Sequence, residues 1–390
     1  MIKRNLYMIV IIFIFLTFSN ISFSCYGIPF AYKVYTIETE YTLYNKGNST
    51  IWVDLNKIQP GFYLALDIDG WQNLINFTFY INGSQSNKVK IMVDGSGNKR
   101  LVFSSSLKIR PKEKIVLKLI QNVRVNSVTP LFSTRKKICM PKTSVSLGNL
   151  SFNEKVFKRY LSTRGFWRID SDIAKISDKI ATSSTTVREY ILAILRWIIV
   201  NIQYNISKRG GIAPPRLVIK SKKGACGEFS SLVVVLARAK RIPAYLYLSY
   251  YYDPNLNVSI KSGDFSYAMV HAFQHVFAMV CLSENVSLPV DLTLPKRNLG
   301  EEIDAIDNAG INIMDNIIIV NRIIDQDPND FLMISSPTKN VSISYKVTIM
   351  QKSGTVFIIE KKLRPFYLIL LLVIVVVIAI IIFLRERTDL

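Results

Sequence analysis

Three residue types able to do thiol chemistry gather in one stretch of this chain: a cysteine at Cys226, histidines at His271 and His275, and an aspartate at Asp291. Cys226 lies in Lys222-Lys223-Gly224-Ala225-Cys226-Gly227-Glu228-Phe229, with two small residues before it and one after. That context puts the sulfur at the start of a helix. Unpaired backbone N–H groups and the positive end of the helix dipole stabilise a thiolate there, and Lys222 and Lys223 add positive charge. A backbone N–H beside Cys226 could also serve a developing oxyanion. The plain alternative is a small buried cysteine at the head of a core helix.

A thiol nucleophile needs a base, and the base needs a group to orient it. His271 and His275 are the sequence's two histidines. Val276 to Leu282 and Leu288 to Leu292 read as two strands of a hairpin around Ser283-Glu284-Asn285. Residues facing each other across a hairpin lie equally far from its turn, and the midpoint of 275 and 291 is Ser283. His275 and Asp291 are therefore expected to be cross-strand partners within hydrogen-bonding reach. The same arithmetic centres His271 on Cys281, inside an apolar strand, so His271 as base would require a bulge or a longer loop.

The surrounding elements must hold these groups. Ser171 to Ala181 has Ile173, Ile176 and Ile180 on one face, which predicts a helix. Thr186 to Ile202 predicts a longer one, with apolar residues at 3-to-4 spacing from Val187 onward. A loop with Gly210-Gly211 and Pro214-Pro215 follows. A third helix is expected over Glu228 to Lys240, stopped by Pro243, with a strand from Ala244 to Tyr252. Upstream, residues 25–145 show short alternating runs cut by turns such as Asn82-Gly83 and Asp94-Gly95, the pattern of an antiparallel β domain of sandwich type. Ser342 to Met350 and Thr355 to Lys361 predict a last hairpin around Ser353-Gly354.

The segment from about Tyr160 to Leu299 resembles the transglutaminase-like superfamily. Asn201-Ile202-Gln203-Tyr204 is similar to the family's N-I-x-Y stretch, and Gly224-Ala225-Cys226-Gly227-Glu228-Phe229 to its nucleophile motif. Ile242-Pro243-Ala244 matches its G-I-P-A, with Arg241 in place of Gly. His275-Val276-Phe277 stands where H-A-W is common, and Val290-Asp291-Leu292-Thr293 where V-D-P-T is common. Phe277 replaces Trp, Met279 replaces a frequent Glu and Leu292 replaces Pro, while His271-Ala272-Phe273 also looks like the H-A-W word. The resemblance implies a papain-like α+β core in residues 150–300. It implies acyl transfer in which Cys226 attacks an amide, His275 moves the proton and Asp291 orients the ring, with no cofactor and no metal. Protein or peptide is then the expected substrate. Water as acceptor means hydrolysis and lysine means cross-linking. Tyr204 and the loop Arg209 to Arg216 are candidates for the cleft wall, or simply packing and a solvated loop. The rival to an enzyme is a surface module that keeps the fold and carries an inert cysteine.

Both ends read as membrane-related. Lys3 and Arg4, the apolar run Leu6 to Phe18 and small residues to Ser24 make residues 1–24 a signal peptide or an uncleaved anchor. Phe366 to Leu384 passes nineteen residues without a charge, about 28 Å as a helix, which predicts a single transmembrane span. The mixed 301–364 region precedes it, and 385–390 form a cytoplasmic tail. The body is thus expected outside the membrane. Asn-x-Ser/Thr triplets at Asn48, Asn76, Asn82, Asn149, Asn205, Asn257, Asn285 and Asn340 agree with export. The net charge of +21 comes from scattered lysines and arginines. With export, that favours anionic surfaces over nucleic acid. Four cysteines, Cys25, Cys139, Cys226 and Cys281, are too few for a disulfide scaffold and leave room for one bridge among Cys25, Cys139 and Cys281.

Overall fold

A computed structural model describes residues 31–69, 71–127, 146–147, 153–205, 211–283, 286–293, 316–335, 338 and 340–356. The leader, the 366–384 span, the tail, Cys25 and Cys139 lie outside them. No helix among the described residues is long and apolar enough to cross a membrane.

The N-terminal part supplies β1 (Ala31–Asn45), β2 (Ile51–Val53), β3 (Tyr63–Leu64), β4 (Gln72–Ile81), β5 (Ser84–Gln85), β6 (Val89–Val93), β7 (Lys99–Phe103), β8 (Leu107–Ile109) and β9 (Lys114–Ser127). A helical stretch follows: α1 (Glu154–Phe157), α2 (Ser171–Ala181), α3 (Val187–Asn201), β10 (Gln203–Tyr204), α4 (Pro215–Ser221), β11 (Lys223–Gly224) and α5 (Cys226–Ala239). The chain then returns to strands, β12 (Ala244–Ser262), β13 (Phe265–Ser283), β14 (Val286–Val290) and β15 (Ile317–Ile323), and ends its described part with α6 (Asn329–Leu332) and β16 (Val341–Val356).

Strands from both halves join one nine-stranded sheet in the order β15-β12-β13-β16-β1-β9-β4-β5, with β14 also paired to β13. Side chains that alternate along a strand face opposite sides of a sheet, and here both sides are covered. Tyr245, Tyr247, Phe277 and Met279 join the core of the N-terminal strands, where Trp71 meets the Tyr247 and Phe277 rings. Ala244, Leu246, Leu248, Val276, Ala278 and Val280 face the helices. The mixed α/β architecture with an antiparallel N-terminal part agrees with the expected fold class.

The three expected helices form, and their ends have local causes. Asp170 caps α2 by accepting from the Ile173 N–H. Thr186 and Glu189 make a reciprocal capping box at the start of α3. A polar relay ties the three together, since the Tyr190 hydroxyl shares a hydrogen bond with Ser177 and donates to the Leu236 carbonyl, 2.8 Å in each case. Two expectations need correction. The strand predicted to end at Tyr252 and the one predicted to begin at Val276 are parts of 19-residue strands joined at Gly263-Asp264. Asp253-Pro254-Asn255 lies in an irregularity between the Tyr252 and Asn257 pairings, through which β12 continues. Ser353-Gly354 is likewise not a turn, because β16 runs through it as one strand. The second arm of that hairpin, 357–361, is outside the described residues.

Candidate active site

The site is built where β13 changes partners. Its residues 278–283 pair with β14 and 265–270 run parallel to β16. His275 lies between these pairings, where β12 is the one neighbour of β13 among the described strands, opposite Ser249. Asp291 follows the last residue of β14. The hairpin register pairs Ala278 with Val290, so its centre is one residue later than expected. Continued by one step, it sets Asp291 across from Phe277 rather than His275. The His275–Asp291 contact is therefore diagonal across the hairpin, within reach of an imidazole.

The third group comes from α5, whose first residue is Cys226. Helix and strand are fixed to each other beside the site, since Ser230 Oγ donates to the Val276 carbonyl at 3.1 Å. His275 Nε2 is hydrogen-bonded to Asp291 Oδ2, and Cys226 lies near enough to the same imidazole to raise its pKa. His275 is 1% exposed and Asp291 3%, while Cys226 is half-buried. Cys226 is thus the member of the three that is not fully buried. Phe273 meets the His275 ring edge-on and Phe277 stacks on it, at centroid distances of 6.0 and 6.2 Å.

Electrostatics follow from this enclosure. Burial pulls the His275 pKa down, but the Asp291 carboxylate and the Cys226 sulfur together outweigh it and leave the imidazole at about 10. Burial pushes the Asp291 carboxyl up. His275 and two hydrogen bonds from Thr293, N–H at 2.8 Å and Oγ1 at 2.9 Å to Oδ1, hold it below its usual range.

The small residues around Cys226 are explained by close neighbours. A Cβ on Gly224 would sit 2.5 Å from Glu228 Cβ, and one on Gly227 would sit 2.5 Å from Ile212. The first glycine makes room for the buried Glu228 side chain. That carboxylate accepts from the Ala225 N–H and from the Ala213 N–H, both at 2.9 Å, and so ties the loop before α4 to the start of α5. Asn329 of α6 grips the same loop from the other side, accepting from the Ile212 N–H at 2.8 Å and donating to its carbonyl at 3.1 Å.

His271, the alternative base, occupies the irregularity between β12 and β13 with a left-handed backbone (φ 59°), and its N–H donates to Asn257 Oδ1 at 3.3 Å. The ring brought to both Cys226 and Asp291 is that of His275. Tyr204 packs edge-on against Phe229 and contributes to the helical core. Of the loop Arg209 to Arg216, residues 209 and 210 lie outside the described residues, and Ile212 packs on Gly227. Cys281 is a buried free thiol in the core of the N-terminal strands. Sequence reasoning gave no role to Glu228, Thr293 or Asn329. The first two carry a signal in their spacing, three residues after a helix cap and two after an aspartate. Asn329 comes from far along the chain and carries none.

Comparison with known proteins bears on this geometry. Residues 174–291 match the family described as the transglutaminase-like superfamily. Cys226, His275 and Asp291 all fall in that segment, and Asp291 is its last residue. No curated protein matches the chain. Among solved structures, a protein described as a candidate cysteine protease from Cytophaga hutchinsonii is similar over 85% of this chain and 95% of its own, at 14% identity and a TM-score of 0.49. The periplasmic domain of TgpA from Pseudomonas aeruginosa, bound to ethylmercury, is similar over 67% of this chain and 89% of its own, at 12% identity and a TM-score of 0.30. The thiol, the imidazole and the carboxylate thus all lie within the segment that matches the transglutaminase-like superfamily.

Proposed function

We propose that this chain is a membrane-anchored extracytoplasmic cysteine enzyme that cleaves amide bonds in protein or peptide through a thioester on Cys226. One observation carries the reading: a half-buried cysteine at a helix start lies beside a buried imidazole that a buried carboxylate holds. In the proposed cycle the cysteine sulfur attacks the substrate carbonyl. N–H groups of the first turn of α5, which lack intrahelical acceptors, are placed to receive the oxyanion. As the C–N bond breaks, His275 gives its proton to the departing amine, and the acyl group remains on sulfur. Water then adds to the thioester while His275 takes a proton from it. Collapse releases the acid and restores the sulfur. Asp291 orients the ring throughout. In this reading residues 1–24 direct export of the body and 366–384 hold it at the membrane.

The test is to incubate the full chain with a mixture of unfolded proteins and to follow products by mass spectrometry. New N-termini made by the native chain and absent with Cys226→Ala are the expected result. Glutamine–lysine isopeptides instead would make lysine the acyl acceptor. If neither product forms, and Cys226 is not alkylated by iodoacetamide at neutral pH, the enzyme reading fails and the inert binding module stands. Protease added to intact cells should remove the body and spare the tail; a protected body would overturn the proposed location.

A further inference from the structure

The Asn-x-Ser/Thr triplets set their asparagines apart from the others in the chain. Six lie among the described residues, at Asn48, Asn76, Asn82, Asn205, Asn257 and Asn340, and all six side chains are exposed. Among the described asparagines outside triplets, Asn87, Asn153 and Asn255 are exposed and the remaining ten are buried or half-buried. An accident of composition would not sort the asparagines this way.

The amide atoms divide along the same line. Where triplet asparagines make side-chain hydrogen bonds, they use the oxygen. Asn76 Oδ1 accepts from Asn122 Nδ2 at 2.7 Å, Asn82 Oδ1 from the Val116 N–H at 2.8 Å, and Asn257 Oδ1 from the His271 N–H at 3.3 Å. The side-chain nitrogens that donate belong to Asn45, Asn56, Asn98, Asn122, Asn201 and Asn329, none of them in a triplet. Nδ2 is the atom to which an N-linked sugar attaches. At the triplets the residue is exposed, and among the described residues Nδ2 donates no hydrogen bond.

We propose that these six asparagines carry N-linked glycans. The donor would be an oligosaccharide linked to a lipid phosphate or pyrophosphate. A bond forms between asparagine Nδ2 and the first sugar carbon, the bond from that carbon to the phosphate oxygen breaks, the lipid phosphate leaves, and the amide gives up one proton. Addition before folding asks of the folded protein only that the first sugar have room. Positions as different as the turn at Asn82, the middle of β4 at Asn76 and the start of β16 at Asn340 all provide it. The proposal rests on the exported location given above and is independent of the thiol chemistry.

The test is peptide mapping by mass spectrometry of the full chain isolated from its native membrane, before and after chemical deglycosylation. Hexose-containing masses on most of the six peptides are expected, and unmodified peptides at half or more of them would overturn the proposal. Ser84→Ala and Ser259→Ala should each strip the glycan from the asparagine two residues earlier, and Ser84→Thr should keep it. A glycan retained in either alanine variant would also overturn it. Cys226→Ala should carry the same glycans as the native chain, so that failure of the enzyme reading and failure of this one are told apart.

Discussion

Among the described residues two side chains able to carry positive charge are buried, and their surroundings act on them in opposite directions. His275 is 1% exposed and Arg238 is 3% exposed. Burial pulls the Arg238 pKa down to about 9, with Asp325 and Cys281 opposing it only from a distance. The guanidinium lies over the Trp167 ring at 4.7 Å and donates to the carbonyls of Ala244, Ser162 and Ile324. His275 suffers the same desolvation, but a carboxylate in direct contact reverses the outcome. Carbonyl dipoles and an aromatic face suffice to seat a cation whose task is to join segments. Only a full countercharge holds a proton on an imidazole in the interior. Cys226, beside His275, and Arg238 lie near opposite ends of α5, about 18 Å apart at 1.5 Å per residue, and the helix has one end made for chemistry and one for cohesion.

Removing the countercharge should break the comparison most visibly. Asp291→Asn keeps the shape and leaves desolvation unopposed by that carboxylate, so the His275 pKa should fall. The amide also favours the wrong tautomer, and turnover is expected to drop by roughly 10³ to 10⁴ with the fold retained. Initial rates and the imidazole NMR titration are the measurements. A variant with native turnover would remove Asp291 from the mechanism. Arg238→Met tests the other end. It leaves three buried carbonyls short of a donor and should lower stability by about 3 kcal/mol. The rate per folded molecule should stay unchanged, as read by denaturant unfolding and active-site titration.

The site should also write itself into the dependence of stability on pH. The His275 pKa rises on folding from an ordinary 6.5 to about 10. Its contribution is therefore complete below about 6.5 and is lost as pH climbs through 10. Asp291 is depressed from 3.8, so its contribution is complete above that value and fades as pH falls through the lower folded value. The difference in melting temperature between the native chain and Asp291→Asn should therefore be largest between about pH 4 and 6.5 and shrink on both sides. A difference that grew steadily towards pH 10 would contradict the assigned direction for His275.

Much of this arrangement was legible because it rests on local pattern. The spacing of Ile173, Ile176 and Ile180 marks α2, the 3-to-4 apolar spacing from Val187 onward marks α3, and the small residues around Cys226 mark a helix start. The pairing of His275 with Asp291 followed from hairpin counting, though the hairpin centre lies one residue later than counted, so that Asp291 falls opposite Phe277 and reaches His275 diagonally. What escaped was non-local. The length of β12 and β13 is set by their pairing with each other, with β15 and with β16, and that pairing carries β12 on through Asp253-Pro254-Asn255. Asn329 reaches Ile212 across more than a hundred residues, and no spacing in the sequence announces it.

The mildest change sharpens the contrast between seating a charge and tuning it. Thr293 reaches Asp291 Oδ1 through both its N–H and its hydroxyl, while His275 takes Oδ2. Thr293→Val removes the hydroxyl bond and keeps the backbone one, along with a side chain of nearly the same shape. Losing one of several hydrogen bonds to a buried carboxylate should lower stability by about 1 kcal/mol. The carboxyl pKa should rise slightly, because one group that favours its anion is gone. The imidazole would then face a less strongly held countercharge, and the acid side of the pH–rate profile should move to higher pH, with the alkaline side nearly fixed. Thr293→Ser, which restores a hydroxyl, should bring the acid limb back. If both variants move it equally, the packing of the threonine methyl matters at this position, and the hydroxyl does not set the charge on Asp291.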